Sequence, residues 1–142
     1  MKPASIKTFD ILYLGSIAIT IIATVLAWDG LMAATNAELA RQGMEMGEGT
    51  NTLAMISAGF GIGIVVVIQL LLWAGASIWR AGWVKWLIAA LALYSLATFF
   101  IGFGGDITLR TVLVAAARLM ALGAAAMLFR ADAKAWFAKD KA

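Results

Sequence analysis

The sequence predicts an all-α membrane protein: an antiparallel bundle of four transmembrane helices, with both termini on the cytoplasmic side (N-in/C-in). Three observations carry this. The 142 residues are 63% hydrophobic and 13% charged, with a mean hydropathy of +0.93. A soluble domain needs far more polar residues to cover its surface, so the solvent is lipid. Four apolar runs, about 9–28, 52–79, 86–103 and 109–129, are near or above the length that crosses a bilayer as helix. Lysines and arginines, finally, collect on alternate connections between these runs. By length, residues 1–142 form a single integral membrane domain.

Composition also removes whole classes of chemistry. There is no histidine and no cysteine, which excludes disulfides, thiolate nucleophiles and axial imidazoles. Zinc, iron–sulfur and most copper sites lose their usual ligands. No cofactor is expected, although bound lipid is compatible with the sequence. The net charge of +3 lies in short segments beside apolar spans, which suits an anionic cytoplasmic leaflet and not nucleic acid.

The first span, about 9–28, follows a basic flank containing Lys2 and Lys7, with Ser5 placed to cap the helix. Ile11–Trp28 is 18 uncharged residues, longer than a signal-peptide core, so it reads as a retained span. Tyr13, Ser16, Thr20 and Thr24 share one helical face. Those hydroxyls either satisfy their own backbone carbonyls or join a shared polar cluster.

Residues 29–51 form the one sizeable connection, placed outside the cell. Thr35-Asn36-Ala37-Glu38 has the spacing of a capping box, which predicts a short helix from about Asn36 to Gln42, stopped by Gly43. Met44 and Met46 flank Glu45. Paired thioethers can bind Cu(I), but without a third soft ligand they fit interfacial methionines better.

The second span, about 52–79, has 28 residues without a formal charge, so it tilts in the bilayer or projects from it. Gly59-x-x-x-Gly63 marks a helix-packing face. Gln69 is the only amide in any span. A basic turn, residues 80–85, carries Trp79, Trp83 and Trp86, and with Trp28 and Trp136 these are expected as interface anchors. Span three, about 86–103, holds Tyr94 and Ser95 near its middle, and a short Gly104-Gly105-Asp106 turn makes spans three and four an antiparallel hairpin. Asp106 and Arg110 are spaced to pair across one helical turn. The tail, residues 130–142, is basic, with Trp136-Phe137 as an apolar anchor. It is expected to be a helix lying on an anionic leaflet or a solvated tail.

Orientation follows from counting cations. Lys2, Lys7, Arg80, Lys85, Arg130, Lys134, Lys139 and Lys141 make eight on one side, against Arg41 and Arg110 on the other. Both termini are therefore expected in the cytoplasm of a multi-pass protein.

Lys2-Pro3-x-Ser5-Ile6-x-x-Phe9-x-x-Leu12-Tyr13-Leu14-Gly15-Ser16, the Val84-Lys85-Trp86 turn, and the closing Asp132-Ala133-x-Ala135-Trp136-Phe137 resemble a group of small four-span bacterial inner-membrane proteins. In that group a proline often precedes the aspartate, whereas this chain has Ala131. The resemblance implies the four-span layout and a bacterial inner membrane, with no assigned activity.

Arg118, near the middle of span four, is the main functional clue. A mid-helix arginine costs roughly 2.5–3.5 kcal/mol on insertion, against about 0.3–0.6 gained per large aliphatic or phenylalanine residue. Such a helix inserts only by packing, and the Ala117-x-x-x-Ala121-x-x-x-Ala125 ridge suits close contact. Thr20, Gln69, Tyr94 and Ser95 lie at similar depth, which predicts an intramembrane polar cluster around Arg118.

Three roles for Arg118 remain open: a structural tie into neutral acceptors, a charge answered by a neighbouring subunit or lipid, or a binding group for an anion. The expectation is a non-catalytic accessory or interaction subunit, self-associating or bound to a protein partner, with a respiratory or light-harvesting assembly as one setting. The alternative is a small transporter or channel using Arg118 to bind an anionic substrate. Small multidrug exporters work through a buried glutamate in span one, and none occurs between Ile11 and Trp28. No nucleophile–base pairing suggests an enzyme.

Overall fold

The computed structural model describes residues 1–45 and 47–138. Six helices follow in order: α1 (Ala4–Leu26), α2 (Trp28–Arg41), α3 (Glu48–Ser77), α4 (Val84–Ile101), α5 (Leu109–Met127) and α6 (Ala131–Ala138). Among the described residues there is no strand. Helices α1, α3, α4 and α5 are long and apolar enough to cross a membrane.

Local chemistry sets most helix ends. Pro3 stands at the N-cap of α1 in extended conformation, and its carbonyl accepts the Lys7 N–H at 3.2 Å. Ser5 therefore lies inside α1 and does not cap it. The predicted capping box at Thr35 is not formed either. Alanine, leucine and methionine carry the helix back to Trp28, so Thr35 falls inside α2 and its hydroxyl donates to the Leu31 carbonyl at 2.9 Å. Gly43, at φ +84°, ends that helix. Its N–H bonds Ala40 O at 3.0 Å and the Met44 N–H bonds Leu39 O at 3.2 Å, the paired bonds of a Schellman stop. At the start of α5 the Thr108 hydroxyl accepts the Thr111 N–H at 3.2 Å.

Cross-helix pairs define the bundle. On α1, Gly15 faces Met120 of α5, and Leu12 Cδ1 lies 3.7 Å from the Cβ position of Gly123. Asp10 of α1 meets Trp73 of α3. Trp86 of α4 packs edge-on against Phe129 just beyond α5, with centroids 5.1 Å apart. In each case early residues of one helix meet late residues of the other, so neighbours run antiparallel. The order around the bundle is α1, α5, α4, α3, and α1 against α5 is the most extensive contact.

The core is concentrated at the end where α1 begins and α3 and α5 finish. Ile6, Phe9, Ile88 and Leu128 are almost wholly buried there, and Tyr13 stacks on Phe9 with centroids 5.2 Å apart. Helix α6 folds back onto this end. Ala133, Trp136 and Phe137 are buried, so the Trp136-Phe137 pair is a core element and not a leaflet anchor.

The outer end of α3 packs on α2, where Ala54 is buried and Asn36 bonds Asn51 at 3.0 Å, but the glycine-bearing middle of α3 lacks a neighbour. A Cβ at Gly59, Gly61 or Gly63 would meet nothing within 4 Å, so the Gly59-x-x-x-Gly63 face packs on no helix of this chain. Large apolar side chains, Phe60, Val65, Leu93 and Ile101 among them, point outward. An apolar exterior of this extent fits helices whose surroundings are lipid.

The close glycine in α3 is Gly75, where a Cβ would stand 3.1 Å from Val84 Cγ2. Thermal unfolding in detergent should therefore separate two substitutions. Gly75→Ile should cost about 1–3 kcal/mol through overpacking, whereas Gly63→Ile should change the monomer by less than about 0.5 kcal/mol. Equal losses would contradict this packing.

Candidate functional site

Two polar groupings are built into the bundle. The first is at mid-height between α4 and α5, beside the small-residue ridge of α5. Ala117 and Ala125 are buried and Ala121 is half-buried. The half-buried Arg118 donates from Nη1 to the Ser95 hydroxyl across this contact.

The remaining members of the expected cluster are elsewhere. Tyr94 is 70% exposed on the outer side of α4. Thr20 returns its hydroxyl to the Ser16 carbonyl at 2.8 Å, and Thr24 does the same to Thr20. Gln69 lines a cavity of about 200 Å³ between α1 and α3, shared with Ile17, Thr20, Thr24 and Val65. Arg118 thus meets one of its four proposed partners. The reason is helical phase: equal depth does not bring side chains together unless they also face the same seam.

The second grouping closes the basic end and was not apparent from the spans. Lys2 Nζ donates to Asp10 Oδ2 at 3.0 Å and to the Ser77 hydroxyl at 2.7 Å. Trp73 Nε1 donates to the other oxygen, Asp10 Oδ1, at 2.9 Å. One carboxylate thereby joins the N-terminal segment, α1 and the end of α3. The available signal was that Asp10 is the only carboxylate inside the four predicted spans, with Trp73 lying deeper than the aromatic belt.

Asp132, in the first turn of α6, accepts the backbone N–H of Ser5 at 3.1 Å. The Ser5 hydroxyl and then this N–H hold its carboxyl below the ordinary carboxylate range, although only the N–H contact has hydrogen-bond geometry. Arg80 lies 4.0 Å above the Trp136 ring, and its own backbone is left-handed at φ 52°. Trp79, Trp83 and Trp86 project outward around this turn, each more than 60% exposed, while Trp28 is half-buried at the junction of α1 and α2. The segments carrying Lys2-Pro3-x-Ser5-Ile6, Val84-Lys85-Trp86 and Asp132-Ala133-x-Ala135-Trp136-Phe137 all converge here.

Asp106 and Arg110 do not pair with each other; the Asp106 carbonyl accepts the Thr111 hydroxyl at 3.1 Å instead. Met46, needed for the paired-thioether copper expectation, lies outside the described residues, as do Lys139, Asp140 and Lys141. Among the described residues, no group of three or more acidic side chains could hold a metal ion.

Two predictions follow from this geometry. Arg118→Leu removes a desolvated charge and should leave a folded protein. Ser95→Ala leaves Arg118 short of an acceptor and should cost about 1–3 kcal/mol in detergent unfolding; no loss would show the contact to be incidental. Asp132 has a folded value below its unfolded one, so its contribution is present above the usual carboxylate range and disappears as pH falls through the depressed value. Acidification below about pH 4 should therefore lower the melting temperature of the native chain more than that of Asp132→Asn. Parallel curves would contradict the contact.

Compared with family models, curated proteins and solved structures, the chain has no significant match.

Proposed function

We propose that this chain is a non-catalytic, multi-pass subunit of a bacterial inner membrane, with both termini cytoplasmic, and that it works by holding another membrane protein or a second copy of itself. The observation that carries this reading is the unpacked face of α3. It is the longest helix, 30 residues, yet none of its most apolar window is buried within the chain. Its Gly59 and Gly63 surface would let another helix approach closely.

The hydrogen bond to Ser95 supports a structural role for Arg118, because it occupies the guanidinium in the α4–α5 seam. Anion transport would need that group turned toward a passage. Orientation rests on charge: Lys2, Lys7, Arg80, Lys85, Arg130 and Lys134 lie toward one end of the bundle, and Arg41 and Arg110 toward the other.

Gly59→Ile should abolish association, read as loss of cross-linking or of a co-purifying subunit, while the monomer's melting temperature stays unchanged. Retained association would overturn the role of this face. For orientation, Gly47→Cys should react with an impermeant thiol reagent applied outside intact cells, and Lys7→Cys should not. The reverse pattern would invert the topology.

A further inference from the structure

We propose that Arg118 is a recognition point for a membrane helix of a different protein, one that carries a carboxylate at the middle of its span and lays it against the α4–α5 seam. This rests on the membrane-subunit reading above and adds the chemistry of the partner.

The guanidinium is anchored but not neutralised. Among the described residues the ion pairs are Lys2–Asp10 and Arg41–Glu38, and Arg118 takes part in neither. The Ser95 hydroxyl accepts from Nη1, a single neutral acceptor for a fork of five donors. That bond fixes the side chain in the seam and leaves its charge unanswered. Arg118 is only half-buried, and Leu119 beside it is 59% exposed, so the seam is open to a neighbour at this point. A charge at such depth is costly until an opposite charge meets it.

Depth selects the kind of neighbour. Arg118 is the central residue of α5, Leu109–Met127, roughly 13 Å from either end by helical rise. Arginines that snorkel to the headgroups lie near helix ends, so a lipid phosphate is out of range. A soluble anion would need water at the midplane, and the two cavities along the middle of α3 are lined without Arg118. A carboxylate carried on another helix meets both conditions, because it arrives at the right depth inside the bilayer.

That helix is not a second copy of this chain. Of the eight acidic residues, Asp10 alone falls inside the predicted spans. It sits near the start of α1, away from mid-span, and both of its oxygens are taken by Lys2 and Trp73. The contact is also distinct from packing on Gly59 and Gly63, which belong to α3 and offer no charge.

The test places the full chain in phosphatidylcholine vesicles with a synthetic leucine–alanine transmembrane helix bearing Glu or Gln at its centre. Association is read by energy transfer between labels. The Glu helix should bind about tenfold more tightly than the Gln helix, because a charge-assisted hydrogen bond is about twice as strong as a neutral one. Arg118→Leu should bind the two helices equally. Arg118→Lys keeps the charge and should keep a preference for Glu, and Gly59→Ile should leave that preference unchanged.

Equal binding of the two helices to the native chain would overturn the proposal, as would a Glu preference that survives Arg118→Leu or is lost in Gly59→Ile. Loss of the preference when phosphatidylglycerol replaces phosphatidylcholine would reassign Arg118 to a lipid phosphate. Loss on adding acetate would reassign it to a small soluble anion. A chain that stays folded and soluble without lipid or detergent would instead overturn the membrane reading itself.

Discussion

A carboxylate about two turns into an apolar helix has to be satisfied by its own protein. Asp10 is that group, and both of its oxygens are used, one by Lys2 and the other by the Trp73 indole. Hydrogen bonds to a charged group contribute about 1.5–3 kcal/mol each when sheltered. The partial exposure of these side chains, 36% for Lys2 and 20% for Asp10, reduces that figure. The geometric consequence is larger than the energy. Satisfying Asp10 draws the N-terminal segment across the end of α3, which brings Ser77 to Lys2 and leaves the Ser5 N–H facing Asp132 of α6.

The bundle is consequently uneven. At the end where the N-terminal segment, the α3–α4 turn and α6 meet, Ile6, Phe9, Leu128, Trp136 and Phe137 form a continuous apolar core. Toward the opposite end α3 meets only the short helix α2, through Ala54 and the Asn36–Asn51 bond, and Gly59 and Gly63 have no neighbour within 4 Å. Packing against lipid alone gives such a surface no preferred orientation, whereas a helix meeting a glycine-lined face gains close contact along its length. The apolar core is therefore concentrated at one end, and the middle of α3 keeps an apolar face that no helix of this chain covers.

Hydropathy made the four long helices legible, because length and apolarity alone decide which segments can span. The stop at Gly43 was also legible, since a glycine after a helical run supplies the left-handed residue that the Schellman bonds require. What failed depended on three-dimensional phase or on competition between signals. Thr35 had the spacing of a cap, but the preceding residues favour helix strongly enough to extend it to Trp28. Tyr94 and Ser95 are adjacent in sequence and point to different sides of α4, so only Ser95 reaches Arg118. Trp136 has the composition of a membrane anchor, but its neighbours Ala133 and Phe137 carry it into the core instead. Asp10 was readable as an anomaly, a lone carboxylate within a span, but its partner Trp73 is more than sixty residues away in sequence.

The most direct test of the Asp10 clamp is a double-mutant cycle between Asp10→Asn and Trp73→Phe, read by reversible unfolding in detergent. Two side chains sharing a sheltered charged hydrogen bond should show a coupling energy of about 1–2 kcal/mol. Losses that add within about 0.3–0.5 kcal/mol would mean the two do not interact and would contradict the clamp.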